Sequence, residues 1–253
     1  MGMSRVRNGR WVLPLAFLSA LLMASCAGES APAPAPTSVA PQPAAVCLTA
    51  DEVRTGQVSF PSGDGSTLQG LVIGTGPVGV VLAHQSGADL CQWKPYAYAL
   101  SRQGYRVLAF NFSVNLPEDV TGAVAALRAR GSRRVVLIGA SMGANAVVVA
   151  AATAKPPVAA VVSLSAPQVF QGVDAAEAAR KLKVPVLYVA GASDGDFAKD
   201  ARTLYAATRA PGRRLLIVRS GAHGVELMND TVTATMEKFV RAQAAPGSTP
   251  TPS

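Results

Sequence analysis

From residue 56 onward, apolar and polar positions fall into short runs of two kinds, one with the period of a strand and one with the period of a helix. Gln57–Phe60 and Leu68–Ile73 read as two strands joined by the turn Pro61-Ser62-Gly63-Asp64-Gly65. Val78–Ala83 is continuously apolar, as in a strand buried on both faces. The pattern then predicts a helix over Trp93–Arg102 ending at Gly104, a strand over Arg106–Phe110, and a helix over Glu118–Arg130 ending at Gly131. A strand over Arg134–Ile138 leads into a helix over Ser141–Ala154, which stops ahead of Pro156-Pro157. Further on come a strand Val158–Leu164, a short helix Ala175–Leu182, a strand Val184–Ala190, a helix Phe197–Thr208, a strand Leu215–Val218 and a closing helix Val225–Gln243. Strands alternating with helices predict an α/β fold: a mostly parallel, doubly wound sheet of about eight strands with helices on both faces. Only 17 residues separate Ala166 from Val184, room for one helix but for no inserted cap domain.

The two ends of the chain have another character. Arg5, Arg7 and Arg10 precede the apolar run Trp11–Met23, which is short for a membrane span and has the flanks of a signal peptide. Met23-Ala24-Ser25-Cys26 resembles the bacterial lipobox, with Met where Leu is usual. That resemblance implies cleavage before Cys26 and lipidation of Cys26; the alternative is plain secretion with cleavage at a nearby small residue. The expected organisation is a lipoprotein signal peptide over 1–25, an Ala/Pro-rich tether over 26–50, a folded domain over 51–243 and a disordered tail over 244–253. The expected location is the cell envelope, outside the cytoplasm, with the N-terminal lipid as the link to the membrane.

Charge and cysteine count narrow the picture further. The net charge is +8, and three of the cations sit in the first ten residues. The densest remaining group, Arg128, Arg130, Arg133 and Arg134, has no interleaved aromatics and reads as a solvated face, which argues against a nucleic-acid-binding function. With Cys26 lipidated, Cys47 and Cys91 are left as an even pair in an oxidising compartment, candidates for a disulfide between the domain's entry and the loop after its third strand. The alternative is two half-buried thiols. No Cys or His spacing suggests a metal, and no cofactor is expected.

The chemistry centres on Gly139-Ala140-Ser141-Met142-Gly143, between an apolar strand and a run of small, helix-compatible residues. Strand, G-x-S-x-G, helix is the arrangement of a nucleophile elbow: the serine sits on a tight turn, small residues flank it, and the helix start aims free amides at the reacting oxygen. The bland alternative is a Gly-rich turn whose serine caps the helix. An activated serine needs a base, and the chain has only His84 and His223. In elbow-type hydrolases the order is Ser, acid, His, and only His223 follows Ser141. It lies in Arg219–Gly224, after the last strand. Between the two lie Asp174, Glu177, Asp194, Asp196 and Asp200. Helix capping explains Asp174 and Glu177, and Asp200 is inside a helical pattern. Asp194, just after the strand Val184–Ala190, takes the orienting role, with Asp196 as the alternative. Donors to a developing oxyanion would be the Met142 amide and an amide of Ala83-His84-Gln85-Ser86-Gly87; Gln85 and Ser86 both remain open, and His84 reads as a packing residue.

Taken together, residues 55–243 resemble a compact α/β-hydrolase of the dienelactone hydrolase-like and small bacterial esterase branches. The resemblance rests on the 78–87 strand and loop, the Gly139–Gly143 elbow, the Gly191–Asp194 turn and the Ala222-His223-Gly224 loop. It implies Ser141 as nucleophile, Asp194 as acid, His223 as base, and Met142 with Gln85 or Ser86 as oxyanion donors. Dienelactone hydrolases proper use a cysteine nucleophile, so their substrate does not transfer. An Asp-x-Arg-Gly-x-Gly-x-Ser-like stretch common in the family is shortened here to Asn111–Pro117. The implied activity is serine-dependent hydrolysis of a carboxylic ester, either a small molecule or an acyl group on a bulky carrier. A peptidase, thioesterase or acyltransferase would use the same residues. From a different class, a non-catalytic envelope protein would keep the fold as a binding module.

Overall fold

β-Branched runs in the middle of the chain form the centre of an eight-stranded sheet, and the segments between them supply its helices. The computed structural model describes residues 44–244. The targeting segment, Cys26, most of the Ala/Pro-rich stretch and nearly all of the tail lie outside the described residues. The strands of the main sheet are β1 (Gln57–Pro61), β2 (Thr67–Ile73), β3 (Val78–Ala83), β4 (Arg106–Phe110), β5 (Arg134–Ala140), β6 (Ala160–Leu164), β9 (Val186–Gly191) and β10 (Arg214–Val218). A separate two-stranded hairpin, β7 (Val169–Phe170) and β8 (Val173–Asp174), falls between β6 and β9. The helices are α1 (Ala50–Thr55), α2 (Lys94–Arg102), α3 (Leu116–Ala129), α4 (Met142–Thr153), α5 (Ala175–Lys181), α6 (Phe197–Ala207) and α7 (Asp230–Ala244).

The main sheet runs β1-β2-β4-β3-β5-β6-β9-β10. β1 and β2 are antiparallel, as are β2 and β4, while every pair from β4 to β10 is parallel. Parallel strands need long crossovers, which the helices provide. Alternate residues of each strand feed two apolar clusters, one on each face. Val81, Ala83 and Leu137 join residues of α3, α4, α5 and α6. Val80, Leu82, Val136 and Ile138 join residues of α2 and α7. The order also fixes where a site belongs. From β3 the chain crosses to β4 on one side, then returns to β5 on the other, pairing Ala83 with Gly139. Such a reversal opens a crevice at the carboxyl ends of the strands.

Several boundaries differ from expectation. α3 starts at Leu116 with Pro in its first turn, two residues earlier than the periodicity indicates. α7 starts at Asp230, because Gly224–Leu227 forms a 3-10 turn and the Asn229 side chain then accepts from Val232 N–H at 3.0 Å. Residues 44–50, expected in the tether, are part of the folded unit. Ala45 is buried, Cys47 is disulfide-bonded to Cys91 with Cα atoms 5.8 Å apart, and the Ala44 carbonyl accepts from Asn111 Nδ2 at 2.8 Å. Helix α1 follows directly, opened by a reciprocal capping box of Thr49 and Glu52.

Glu52 anchors this corner. Lys94 Nζ donates to it at 2.8 Å, Tyr98 Oη at 2.7 Å and Thr49 N–H at 2.7 Å. Burial pushes its carboxyl up, but these donors together outweigh that and hold it at about 2. A depressed folded-state value contributes stability that is complete above the unfolded value of roughly 4.3 and is lost as pH falls towards 2. Glu52→Gln is therefore expected to lower unfolding free energy by on the order of 2 kcal/mol at pH 7, with the gap to wild type closing as pH drops below about 4. Urea unfolding of both proteins across that range checks it.

Candidate active site

The elbow is built by steric exclusion. A Cβ on Gly139 would collide with the Gly143 carbonyl, and one on Gly143 with the Ala83 carbonyl, so glycine at both positions lets α4 start directly over the ends of β5 and β3. Ser141 sits between them with φ 50° and ψ −113°, a region costly for any residue with a side chain. Its N–H donates to Leu164 O at the end of β6 (2.8 Å), and Asn145 N–H donates back to Ser141 O (3.0 Å). The hydroxyl-bearing residue is partly exposed. Met142 opens α4, so its N–H has no carbonyl partner within the helix.

His223 lies in the loop after β10. Its Nδ1 is 3.0 Å from both Oδ1 and Oδ2 of Asp194. Phe197 packs on the imidazole with ring centroids 4.3 Å apart. The next residue, Gly224, has φ +58° and comes so close to Ala140 that a Cβ on it would lie 3.4 Å from the Ala140 Cβ, which brings the histidine loop onto the elbow. Among the described residues, His223 bonds through its side chain to Asp194, and no hydrogen bond joins it to Ser141. Contacts of this kind often close only when substrate is bound. Asp194 is 7% exposed in the turn after β9, while Asp196 is exposed at the start of α6; Asp194 is the carboxylate that meets the imidazole.

The loop after β3 divides its roles. His84 is buried, with Nδ1 2.8 Å from Gln85 O and Nε2 accepting from Phe112 N–H at 3.2 Å. Both ring nitrogens are thus occupied, and burial pushes the imidazole's pKa down, favouring the neutral form. It ties the β3 loop to the chain after β4. The Gln85 N–H donates to Gln92 Oε1 at 3.1 Å, and Gln85 Oε1 accepts from Val225 N–H at 3.3 Å. Gln85 is a bridge between two loops. Ser86 is exposed, and its N–H takes no protein partner among the described residues. The shortened stretch after β4 is held by Asp119, which is fully buried and accepts from Ser62 Oγ (2.7 Å), Ser113 N–H (2.7 Å) and Ser113 Oγ (2.9 Å).

One polar residue at the site carries no local signal in the sequence. Ser165, just past β6, is fully buried with φ 50°. Its hydroxyl donates to Asp194 Oδ2 at 2.7 Å and accepts from Gly224 N–H at 3.0 Å. A groove of about 450 Å³ lies elsewhere, between α3, α4, the β7–β8 hairpin and α5; its walls include Leu116, Val149 and Lys181 but not Ser141, Asp194 or His223. Nothing in it resembles a nucleophile–base pair; the Asp194–His223 pair lies instead beside the Gly139–Gly143 turn. Among the described residues no cluster of His, Cys, Asp and Glu could hold a metal ion, and no helix is long and apolar enough to cross a membrane.

No protein-family model and no curated protein matches the chain in sequence. Solved structures do match it in fold. An esterase from Pyrococcus furiosus superposes with a TM-score of 0.65 at 17% identity, covering 75% of this chain and 91% of that one. The esterase domain of a Rhodothermus marinus protein gives 0.62 at 21% identity, covering 75% and 98%. A dienelactone hydrolase from Anabaena variabilis gives 0.61 at 23% identity, covering 73% and 96%. The fold is that of the α/β-hydrolases, with a mostly parallel eight-stranded sheet flanked by helices.

Proposed function

We propose that the chain is a serine hydrolase that cleaves carboxylic esters through Ser141, His223 and Asp194. The observation that carries this reading is the His223–Asp194 pair at 3.0 Å, on a loop packed against a serine held at φ 50° between strand and helix. With Nδ1–H given to Asp194, Nε2 is the basic nitrogen available to the serine. It takes the Ser141 proton as Oγ attacks the carbonyl carbon. The oxyanion receives the Met142 N–H and, since the Gln85 N–H is engaged by Gln92, the Ser86 N–H. His223 then protonates the departing alcohol, leaving an acyl-enzyme. Water gives a proton to His223 as it attacks the acyl carbon, and His223 returns that proton to the departing Ser141 Oγ, releasing the acid and free Ser141.

Ester chemistry is favoured because the structural neighbours named above are esterases and a dienelactone hydrolase. A partly exposed Ser141 suits a small ester, or an acyl group presented on a larger carrier, better than a long buried tail. Turnover of p-nitrophenyl esters from acetate to decanoate tests the reading. Hydrolysis strongest at short acyl chains is expected; no turnover of any ester would overturn the ester reading, and absence of fluorophosphonate labelling as well would leave the fold as a binding module.

The Met23–Cys26 lipobox supports carriage of the domain on an envelope lipoprotein, tethered outside the cytoplasm. Cys26→Ser is expected to move the protein from the membrane to the soluble fraction after cell fractionation. Unchanged membrane association would rule out the lipid anchor.

A further inference from the structure

Ser165 stands where the three parts of the site meet. The carbonyl just before it, Leu164 O, accepts from Ser141 N–H at 2.8 Å, and its own N–H donates to Val189 O of β9 at 2.8 Å. Its side chain adds two further bonds. Gly224 N–H donates to the hydroxyl oxygen, and the hydroxyl proton goes to Asp194 Oδ2. The direction is forced, because a carboxylate oxygen accepts and an amide only donates. The hydroxyl is fully buried, so no water replaces either bond, and its left-handed backbone is a conformation that a residue with a side chain keeps only when surroundings fix it.

We propose that Ser165 is a positioning residue, which sets the Asp194 carboxylate and the His223 loop in one register and draws part of the carboxylate's charge away from the imidazole. This rests on the serine-hydrolase reading above. Oδ2 is 2.7 Å from the Ser165 hydroxyl and 3.0 Å from His223 Nδ1, so both donors share one oxygen. Removing the hydroxyl concentrates charge on that oxygen, strengthens its hold on the protonated imidazole, and leaves the Gly224 N–H unpaired inside the protein. The other charged groups nearby belong to the same loops. Asp196, Arg219 and Glu226 are exposed, and His84 across the site is buried, with both nitrogens bonded to backbone. Among the described residues none of them hydrogen-bonds or ion-pairs with Asp194 or His223, and Ser165 is the side chain that donates to the same carboxylate.

The test compares kcat and KM against pH for wild type and Ser165→Ala, with fluorophosphonate titration counting active sites. The expected result is a fall in kcat of about tenfold per active site with KM within about twofold. The acidic limb of kcat/KM should move up by roughly half a pH unit. Ser165→Cys, with a weak S–H donor, should fall between the two; it also serves if the alanine variant does not fold. A limb that stays in place, or a loss explained wholly by fewer titratable sites, would overturn the positioning role while leaving the hydrolase reading intact. A wild type with neither turnover nor labelling would overturn both.

Discussion

Ser141→Ala is expected to lower kcat on a p-nitrophenyl ester by about 10⁵-fold, because on the proposed reading it removes the oxygen that forms the acyl-enzyme. On the same reading, the residual rate is what the proposed Met142 and Ser86 amide donors contribute to an attacking water. The same position makes a second, independent prediction. Ser141 is held at φ 50° and ψ −113°, and alanine keeps that strain because it keeps the Cβ. Glycine does not. Ser141→Gly should be as inactive as Ser141→Ala yet more stable than it by about 1 kcal/mol, seen as a higher urea midpoint. An active site whose nucleophile is a strained residue should gain stability when it is relaxed. If Ser141→Gly were less stable than Ser141→Ala, the strain would not belong to the serine's function.

Asp194→Asn is expected to lower kcat by about 10³- to 10⁴-fold with little change in KM. The size follows from the bonds around the carboxylate. Asp194 accepts from Ser165 Oγ and faces His223 Nδ1 with both oxygens. An asparagine has one acceptor oxygen and one amide nitrogen. Placing the amide towards His223 puts the ring proton on Nε2, where the base is needed. Placing it towards Ser165 sets donor against donor. Either choice damages the base or the turn. Asp196→Asn is the matched control: Asp196 is exposed, outside the Asp194–His223 pair, and its removal should leave at least about half the activity. Equal losses at the two positions would mean that the carboxylate assignment is wrong.

The strands most legible in the sequence were those buried on both faces. Val78–Ala83 and Arg106–Phe110 have the expected limits, since a continuous apolar run has no other way to bury itself. The elbow was legible too as a local strand–G-x-S-x-G–helix pattern, although only Gly139 answers to a neighbour in sequence, while Gly143 makes room for Ala83 of β3. His223 could be singled out only because histidines are so scarce here. Other features depend on partners far along the chain. Asp194 and Asp196 share one turn sequence, and the difference between them is which side chain that turn directs inward. For the proposed oxyanion donor, Gln92 is what favours Ser86 over Gln85, since its side chain occupies the Gln85 amide from seven residues on. Ser165 reads as an ordinary residue after an apolar strand, yet its partners lie 29 and 59 residues away. The β7–β8 hairpin has two residues per strand, too few to show a period. By contrast, α1 had a local sign in Thr49-Ala50-Asp51-Glu52, a capping-box sequence that straddles the expected boundary between tether and domain.

The most direct test of the central claim is the site of covalent capture. A fluorophosphonate reacts with a serine only when a base activates it and an oxyanion pocket receives the phosphoryl oxygen. After labelling of the wild-type protein, digestion and mass spectrometry should find one adduct, on the peptide that carries Ser141, and His223→Ala should suppress it. A protein that stays unlabelled, or an adduct on any other serine, would contradict the account.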